Sequence, residues 1–459
     1  MTLIHHRLLR IFLLITAIIS IFPLYSEQEA QEIKIYLPTT SPLTPLYVAD
    51  WQSSSSFDST HTSKLLDILK YDLRHGGSSG LLARDSFLEE LLKNTDKRVA
   101  FSPATWKEKG AAYVILGKVE GHTLTLSFFC VTARTLKHLP QATLTGNLAQ
   151  DRQQIHRLAD TLNKLLYNVD GVAHSKLLYC QQKPGATGKK SQWISEVWEC
   201  DWDGSNARQV TREDSYCVTP VFLPSDGTPT ERFVYVSYKM GQPKIYISSL
   251  HEGKGKRLID LRGNQLLPAI SKQRDKIAYI CDASGRADLF VQHLNPHSGR
   301  ADTPQQLYSY PRSTQASPTF SPAGDKLAFV SDKDGSAKIY IIPAKPGARR
   351  HTPLLITKKN QENSCPAWSP DGTKIAYSAK TKGIRQIWIY DCTASEERQL
   401  TDGPNHKENP AWAPDSLHLV FNSTSGENSD LFVVNLNQPE AIKITNGPGK
   451  KTYPSWGVR

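Results

Sequence analysis

A few short patterns in this sequence have residue types and spacing that could do chemistry. Gly76-Gly77-Ser78-Ser79-Gly80 matches G-x-S-x-G, the turn that exposes a nucleophilic serine in many hydrolases. Such a serine needs a strand before it and a helix after it, and here a helical pattern precedes it, so a flexible Gly/Ser loop is expected. His293 and His297 have the spacing of two zinc ligands, but Pro296 interrupts any helix that would present both. Asp332-x-Asp334-Gly335 is a fragment of a calcium loop and reads more simply as a hairpin turn. Seven cysteines (Cys130, Cys180, Cys200, Cys217, Cys281, Cys365 and Cys392) show no C-x-x-C spacing. Most lie in apolar runs, where cysteine packs as a small hydrophobe, and at least one thiol is expected to be free. No catalytic residue, metal ligand set or cofactor motif is expected.

Any functional surface must then come from the larger elements. The chain of 459 residues is long enough for two or three domains with cores of their own. Residues 1–26 stand apart. Arg7 and Arg10 precede an uncharged apolar run at 11–22, too short to span a bilayer and suited to a signal peptide. Cleavage is expected after Ser26 or after Ala30. The first cysteine is Cys130, so no lipid anchor is expected at the new N-terminus, and no later stretch is apolar enough to span a membrane. The mature protein is expected to be secreted and soluble. The net charge is +11; residues 1–26 hold two arginines and no acids, which leaves +9. Lysines and arginines are scattered in pairs rather than gathered in a stripe, so no nucleic-acid partner is expected.

Self-similarity is the strongest signal. Pro-x-aromatic recurs before a turn at Pro318 (PTFSPAGDKLAFVS), Pro366 (PAWSPDGTKIAYSA) and Pro410 (PAWAPDSLHLVFNS), with weaker copies at Pro220 and Pro268 and a last one at Pro454. Successive prolines stand 48, 50, 48, 44 and 44 residues apart. Each period has the same order: the Pro-x-aromatic strand, a Ser-Pro-Asp-Gly turn, an alternating strand, a polar loop, a β-branched and aromatic strand, and a short fourth strand. Four antiparallel strands per unit of this length is the arithmetic of a β-propeller blade. Ser369-Pro370-Asp371-Gly372 does not match the Ser-x-Asp-x-Gly-x-x-Trp turn of sialidase-type propellers.

The ends of the array complement each other. The strands at residues 176–180, 196–200 and 208–211 lack a first strand before them, and residues 454–457 lack strands after them. Pairing the two closes a ring of six blades and removes both free sheet edges. Residues 31–170 mix periods instead. Residues 32–37, 111–116 and 123–131 read as strands, and 53–62 as a polar loop. Residues 63–75 read as a helix through Leu65, Leu66, Ile68, Leu69 and Leu73, and 151–168 as another through Ile155, Leu158, Leu162, Leu165 and Leu166. The expected architecture is a signal peptide at 1–26, an α/β N-terminal domain at 27–170, and an all-β six-bladed propeller at 171–459 closed by the C-terminal strand.

The PxWSPDGxKIAYxS repeat behind an exported α/β domain resembles the TolB family of the Tol–Pal system. The likeness includes Ala104-Thr105-Trp106, the run from Ala111 to Val119, Leu158-Ala159-Asp160 leading to Gly171, and Asp201-Trp202-Asp203-Gly204-Ser205-Asn206. The turns at Pro220 and Pro268 depart from the pattern. The resemblance implies a non-enzymatic periplasmic adaptor. One propeller mouth would bind the peptidoglycan-associated lipoprotein Pal, and a mature N-terminal segment would contact TolA. The system helps the outer membrane follow the dividing cell and keep its integrity.

In a propeller, the loops from each outermost strand to the next innermost strand gather at one mouth. Here they precede the six prolines. The candidate partner-binding residues are Tyr216, Thr219, Asn264, Leu267, Thr314, Ala316, Glu362, Ser364, His406, Asn409 and Lys451. Eight cations lie in or near these loops (Arg212, Arg262, Arg312, Lys358, Lys359, Lys407, Lys450, Lys451) against five acids (Glu213, Asp214, Glu362, Asp402, Glu408), a bias suited to a partner with acidic groups. Changing His406 or Lys451 to Glu is expected to weaken binding and leave the melting temperature unchanged. The alternative is an enzyme or small-ligand binder working in the central channel, which would need carboxylates, histidines or metal ligands converging there.

Overall fold

Each period of the repeat becomes an antiparallel sheet of four strands, running outward from the strand that carries the proline. The computed structural model describes residues 33–36, 42–53, 57–94, 96–184, 193–224, 231–295, 301–347, 350–438 and 440–457. The expected signal segment, both cleavage points, the mature N-terminal segment and His297 lie outside the described residues. Four sheets hold four strands each, beginning at Cys217–Phe222, Gln265–Ile270, Gln315–Phe320 and Asn363–Trp368. An eight-stranded sheet consists of two further groups of four, joined by one bridge between Ser429 and Lys450. One group starts at His406–Trp412. In the other, Lys450–Gly457 lies beside Lys176–Pro184, with Trp456 opposite Leu177 and Gly457 opposite Lys176. Each inner strand packs on the next, and Lys450–Gly457 packs on Cys217–Phe222.

The blade core repeats as well. The fourth residue of the second strand is Tyr179, Tyr235, Tyr279, Phe329, Tyr377 or Phe421, and all six are buried. Alternation puts these rings between neighbouring sheets, where each stabilises the fold by roughly 1.5–3 kcal/mol. The turn after the inner strand is built as its residues dictate. Gly372 N donates to Ser369 O at 2.9 Å, and Gly372 takes φ +79°. The cysteines are all free; Cys180, Cys200, Cys217 and Cys281 are buried in the blades.

Before the blades lies a second sheet, ordered Ser79–Leu81, Thr44–Val48, Tyr113–Glu120, Thr123–Cys130, Thr135–His138, parallel on one side and antiparallel on the other. Helices Ser59–His75 and Leu148–Tyr167 pack on each other beside it. Asp58 and Asn147 cap their N-termini, and Asn168 ends the second in a left-handed conformation. Three expectations change here. The polar stretch read as a loop at 53–62 already becomes helix at Ser59, because Asp58 caps it. Leu165, expected on the buried face, is 52% exposed. Within the described part of the alternation at 32–37, Lys34–Ile35 is the strand, and it pairs with Thr401–Asp402 of the propeller rather than with the second sheet. The short helices Ser86–Leu92, Lys97–Ala100 and Pro103–Glu108 carry no amphipathic repeat long enough to be read from sequence.

The Gly-Gly-Ser-Ser-Gly stretch is a packed junction, not a flexible loop. It follows the end of helix Ser59–His75 and enters strand Ser79–Leu81, the reverse of a nucleophile elbow. Gly77 has φ +80°, and a Cβ there would stand 2.6 Å from Leu417 Cδ2. The carbonyls left open at the helix end accept from propeller side chains: Arg74 O from Gln438, His75 O from Asn435, and Gly77 O from Asn437.

Candidate functional site

The inner strands do not begin at their prolines. Each starts three or four residues earlier and pairs with the second strand in two halves separated by a register shift. The residue before each proline sits in that bulge. Thr219, Leu267, Ser317, Cys365, Asn409 and Tyr453 all take φ between 45° and 54°. A left-handed non-glycine residue costs about 1–3 kcal/mol, which the surrounding sheet must offset. Proline suits the next position because it has no N–H to lose from the interrupted ladder. The bulge divides each inner strand into an entrance half before the proline and an exit half after it. The candidate residues therefore lie on strand starts and bulges as much as on loops. The signal for this was the proline itself, which inside a sheet is confined to edges and bulges.

The entrance end carries polar groups held by the hairpins between second and third strands, which reach the same level. Asn264 donates through its backbone N and Nδ2 to Asp282, at 2.6 and 2.7 Å. Thr314 is exposed and makes the same pair of contacts to Asp332, at 2.7 and 2.9 Å. Arg385 collects the fifth and sixth blades. It faces Glu362 at 3.7 Å and Glu408 at 3.3 Å, and donates to Ser364 Oγ at 3.2 Å. Its backbone N donates to His406 Nδ1 at 3.2 Å. Lys380 adds an ion pair to Glu362 at 2.9 Å, and its ammonium is the first cause that holds the exposed Glu362 carboxyl below its usual range. Glu362 and His406 are exposed, Ser364 half-buried. Asn409 Nδ2 donates to Asn422 Oδ1 at 2.8 Å, and Asn409 Oδ1 accepts from Cys365 Sγ. Tyr216 is half-buried with its ring 5.7 Å from Tyr238. Thr219, Leu267 and Ala316 are half-buried and line the bulges.

Lysine placement corrects one expectation. Lys451 is 2% exposed, with its Nζ 3.2 Å from Asp430 and bonded to Gly447 O. Lys407 is fully buried and donates to the carbonyls of Gly403, Pro404 and Asn405. These ammonium groups hold the entrance loops in place rather than meeting a partner. Changing Lys451 to Glu would set a carboxylate beside Asp430 and lower stability. Arg385 and Lys380, on a second-to-third-strand hairpin, were not among the candidates. The antiparallel order of strands, which returns that hairpin to the entrance level, was the signal for them.

The exit halves enclose a cavity of about 620 Å³. Phe222, Ile270, Phe320, Trp368, Trp412 and Trp456, two residues past each proline, line it. The only ionisable group among its lining residues is Lys272. His293 is exposed at the end of its strand, and Asp332 accepts from Thr314.

A ring of four-stranded sheets around a channel, preceded by a small α/β region, defines a β-propeller scaffold. Residues 164–459 match the family described as "TolB beta propeller domain". The chain is 47% identical over 402 residues to a "Protein TolB homolog" of Protochlamydia amoebophila, covering 86% of each. It is 35% identical over 386 residues to a protein of the same description from Chlamydia trachomatis serovar L2, covering 83% of this chain and 82% of that one. Its fold superimposes on the crystal structure of TolB from Acinetobacter baumannii with a TM-score of 0.72 at 17% identity, covering 93% of this chain and all of the other. The chain belongs to the TolB family. No helix among the described residues is long and apolar enough to cross a membrane.

Proposed function

We propose that this protein is a non-enzymatic periplasmic adaptor of the Tol–Pal system that binds the lipoprotein Pal through the entrance end of its channel. Residues 1–26 would be its export signal. The mature chain would divide near residue 170 into an α/β domain and a six-bladed propeller, and its N-terminus would meet TolA. In this role it supports outer-membrane integrity and invagination at division.

The observation that carries this reading is the contrast between the two ends of the channel. Exposed charged and polar groups gather at the entrance around Arg385, Glu362, His406 and Thr314. The exit cavity offers one lysine and no acid–base pair among its lining residues. Polar loops on a rigid ring form a partner surface without altering the core. The proposed contact set keeps Tyr216, Thr219, Asn264, Leu267, Thr314, Ala316, Glu362, Ser364, His406 and Asn409, adds Arg385, and drops Lys451. Tyr36 OH donates to Asp402 at 3.0 Å, so the first described residues lie beside Thr401–Asp402, which leads into His406. That position suits an N-terminal segment reaching a second partner.

Calorimetric titration of the purified protein with Pal tests the reading. A triple variant, His406→Glu, Glu362→Ala and Thr314→Ala, should bind at least about tenfold more weakly, a loss of roughly 1.4 kcal/mol, with an unchanged melting temperature. Unchanged affinity would move the interface to another surface. A second reading, a small-ligand site in the channel, rests on the exit cavity and its aromatic wall. Ligand-induced stabilisation abolished by Trp412→Ala would favour it.

A further inference from the structure

The wall of the exit cavity has a backbone chemistry that its aromatic side chains hide. In five blades the residue three past the proline donates its N–H to the second strand: Leu223 to Arg232 O, Ser271 to Lys276 O, Ser321 to Lys326 O, Ser369 to Lys374 O and Ala413 to His418 O, at 2.8–3.0 Å. In an antiparallel ladder, successive residues face alternately toward the partner strand and away from it. The N–H groups of Phe222, Ile270, Phe320, Trp368 and Trp412, one residue earlier, therefore point off the ladder toward the channel. Trp456, opposite Leu177, holds the same place in the first blade.

Two of these six donors are met by a hydroxyl of the preceding blade. Phe222 N donates to Ser455 Oγ at 3.2 Å, and Trp368 N donates to Thr319 Oγ1 at 3.2 Å. Ser455 and Thr319 each stand one residue past their proline. The equivalent residues before Ile270, Phe320, Trp412 and Trp456 are Val221, Ala269, Ala367 and Ala411, whose side chains carry no acceptor. All four line the cavity. Four donors thus share one space with only apolar side chains in the hydroxyl position. The carbonyls of the same residues lie along that edge too, so the charge of the lining decides which ligand it favours.

That charge is positive. Lys272 is exposed at the cavity wall, at the position held by Pro224, Pro322, Pro370 and Pro414 in other blades, and the lining includes no carboxylate. The acids of the neighbouring turns are engaged elsewhere. Asp275 accepts from Ser271, Asp325 from Ser321, and Asp371 from Ser369 and Thr373, while Asp415 is paired with His418. A single cation beside a low-dielectric wall focuses its field into the cavity.

We propose that the exit cavity binds a small organic anion, an apolar body carrying one carboxylate. This rests on the reading of the cavity as a small-ligand site. The carboxylate accepts from the open N–H groups, and Lys272 adds attraction. The body lies against the aromatic wall, in a volume of about 620 Å³ that suits a small-molecule ligand. The rival is a cavity that selects by apolar contact alone and is indifferent to charge.

The test is calorimetric titration of the full chain with three probes that share one body: naphthylacetate, naphthylethanol and naphthylethylamine. Naphthylacetate should bind at least about tenfold more tightly than either of the others. The double variant Ala269→Ser and Ala411→Ser supplies the missing hydroxyls to Phe320 and Trp456, as Ser455 and Thr319 do for their neighbours. It should weaken naphthylacetate about tenfold and leave naphthylethanol within about twofold. Ser455→Ala frees a fifth donor and should tighten naphthylacetate, and Lys272→Gln should weaken it. Equal affinity for the three probes, or tighter binding of the amine, overturns the anion assignment. If that binding is lost in Trp412→Ala, the small-ligand reading survives without it. Binding of none of the three overturns both. An acid preference unchanged in the double variant also overturns the proposal, and the wild-type comparison decides even where a variant fails to fold.

Discussion

The blades and the junction that ties them to the α/β region are held by opposite chemistry. Inside the blades the repeated aromatic row from Tyr179 to Phe421 is apolar burial, which each sheet obtains from its neighbours and which tolerates changes of shape. At the junction the buried groups are ionisable. Asp72, His156, Asp201 and Asp203 meet on one side, and His418, Asp415 and the carbonyl of His75 on the other. There each group depends on a particular partner, and removing one leaves the rest charged and dry. Apolar repetition makes the ring robust, and buried polarity fixes one relative placement of the helices against the sixth and first blades.

That contrast can be broken most severely at the ring itself. Ending the chain at Gly449 removes the inner strand of the first blade and exposes two edges. The loss of Trp456 alone costs about 3–5 kcal/mol. Thermal melts should show loss of the cooperative transition, and a wild-type melting temperature would refute the closure by Lys450–Gly457.

Two near-isosteric changes sharpen it further. Asp415→Asn breaks a pair 2.6 Å long whose side chains are 6% and 1% exposed. It should cost about 3–5 kcal/mol in denaturant unfolding. Phe329→Leu removes more volume, yet should cost only about 1.5 kcal/mol. The reverse order would show that the junction, not the blade core, is the adaptable region.

A smaller effect follows from pH. Burial alone would lower the His418 pKa, but Asp415 beside it more than offsets this and raises it. The Asp415 carboxyl, which burial would raise, is held low by His418. A base with a raised folded pKa stabilises fully below its unfolded value of about 6.5 and loses that stabilisation as pH rises through the folded value. The gap in stability between the wild type and His418→Gln should therefore be wider at about pH 6 than at about pH 9. His75 works in the opposite sense. Burial, then Arg74 and His418, lower it to about 4, so stability falls as acid protonates it in the unfolded chain. It is present in both proteins and largely cancels in the difference. Equal gaps at the two pH values would exclude His418 as the titrating group.

The smallest effect is expected at the exposed entrance. His406→Glu should leave the melting temperature within about 1 °C, because surface positions usually shift stability by less than 0.5 kcal/mol.

The propeller was legible because each blade confines its signals to one contiguous period: proline, turn, alternation, aromatic strand. The bulges were not, because proline read as the start of a strand rather than its middle. The junction was hidden for another reason. His418 and the His75 carbonyl it meets are 343 residues apart, and nothing local ties a histidine at the start of one strand to a helix end. Lys451 misled because lysine normally reads as solvent-exposed, while its carbonyl partner lies in a glycine turn with no pattern of its own. Lys34–Ile35 was recognisable as extended, but alternation does not say which sheet a strand will join.

The pairing of the last strand with the first blade also sets a clock. Trp456 Nε1 reaches Ser175 Oγ across 281 residues of chain. At roughly 5–20 residues per second of synthesis, the edge of Lys176–Pro184 stays open for tens of seconds after it emerges. Five blades can assemble in order while the sixth site waits for the final segment. During that interval the open edge is the part of the nascent protein most in need of a chaperone.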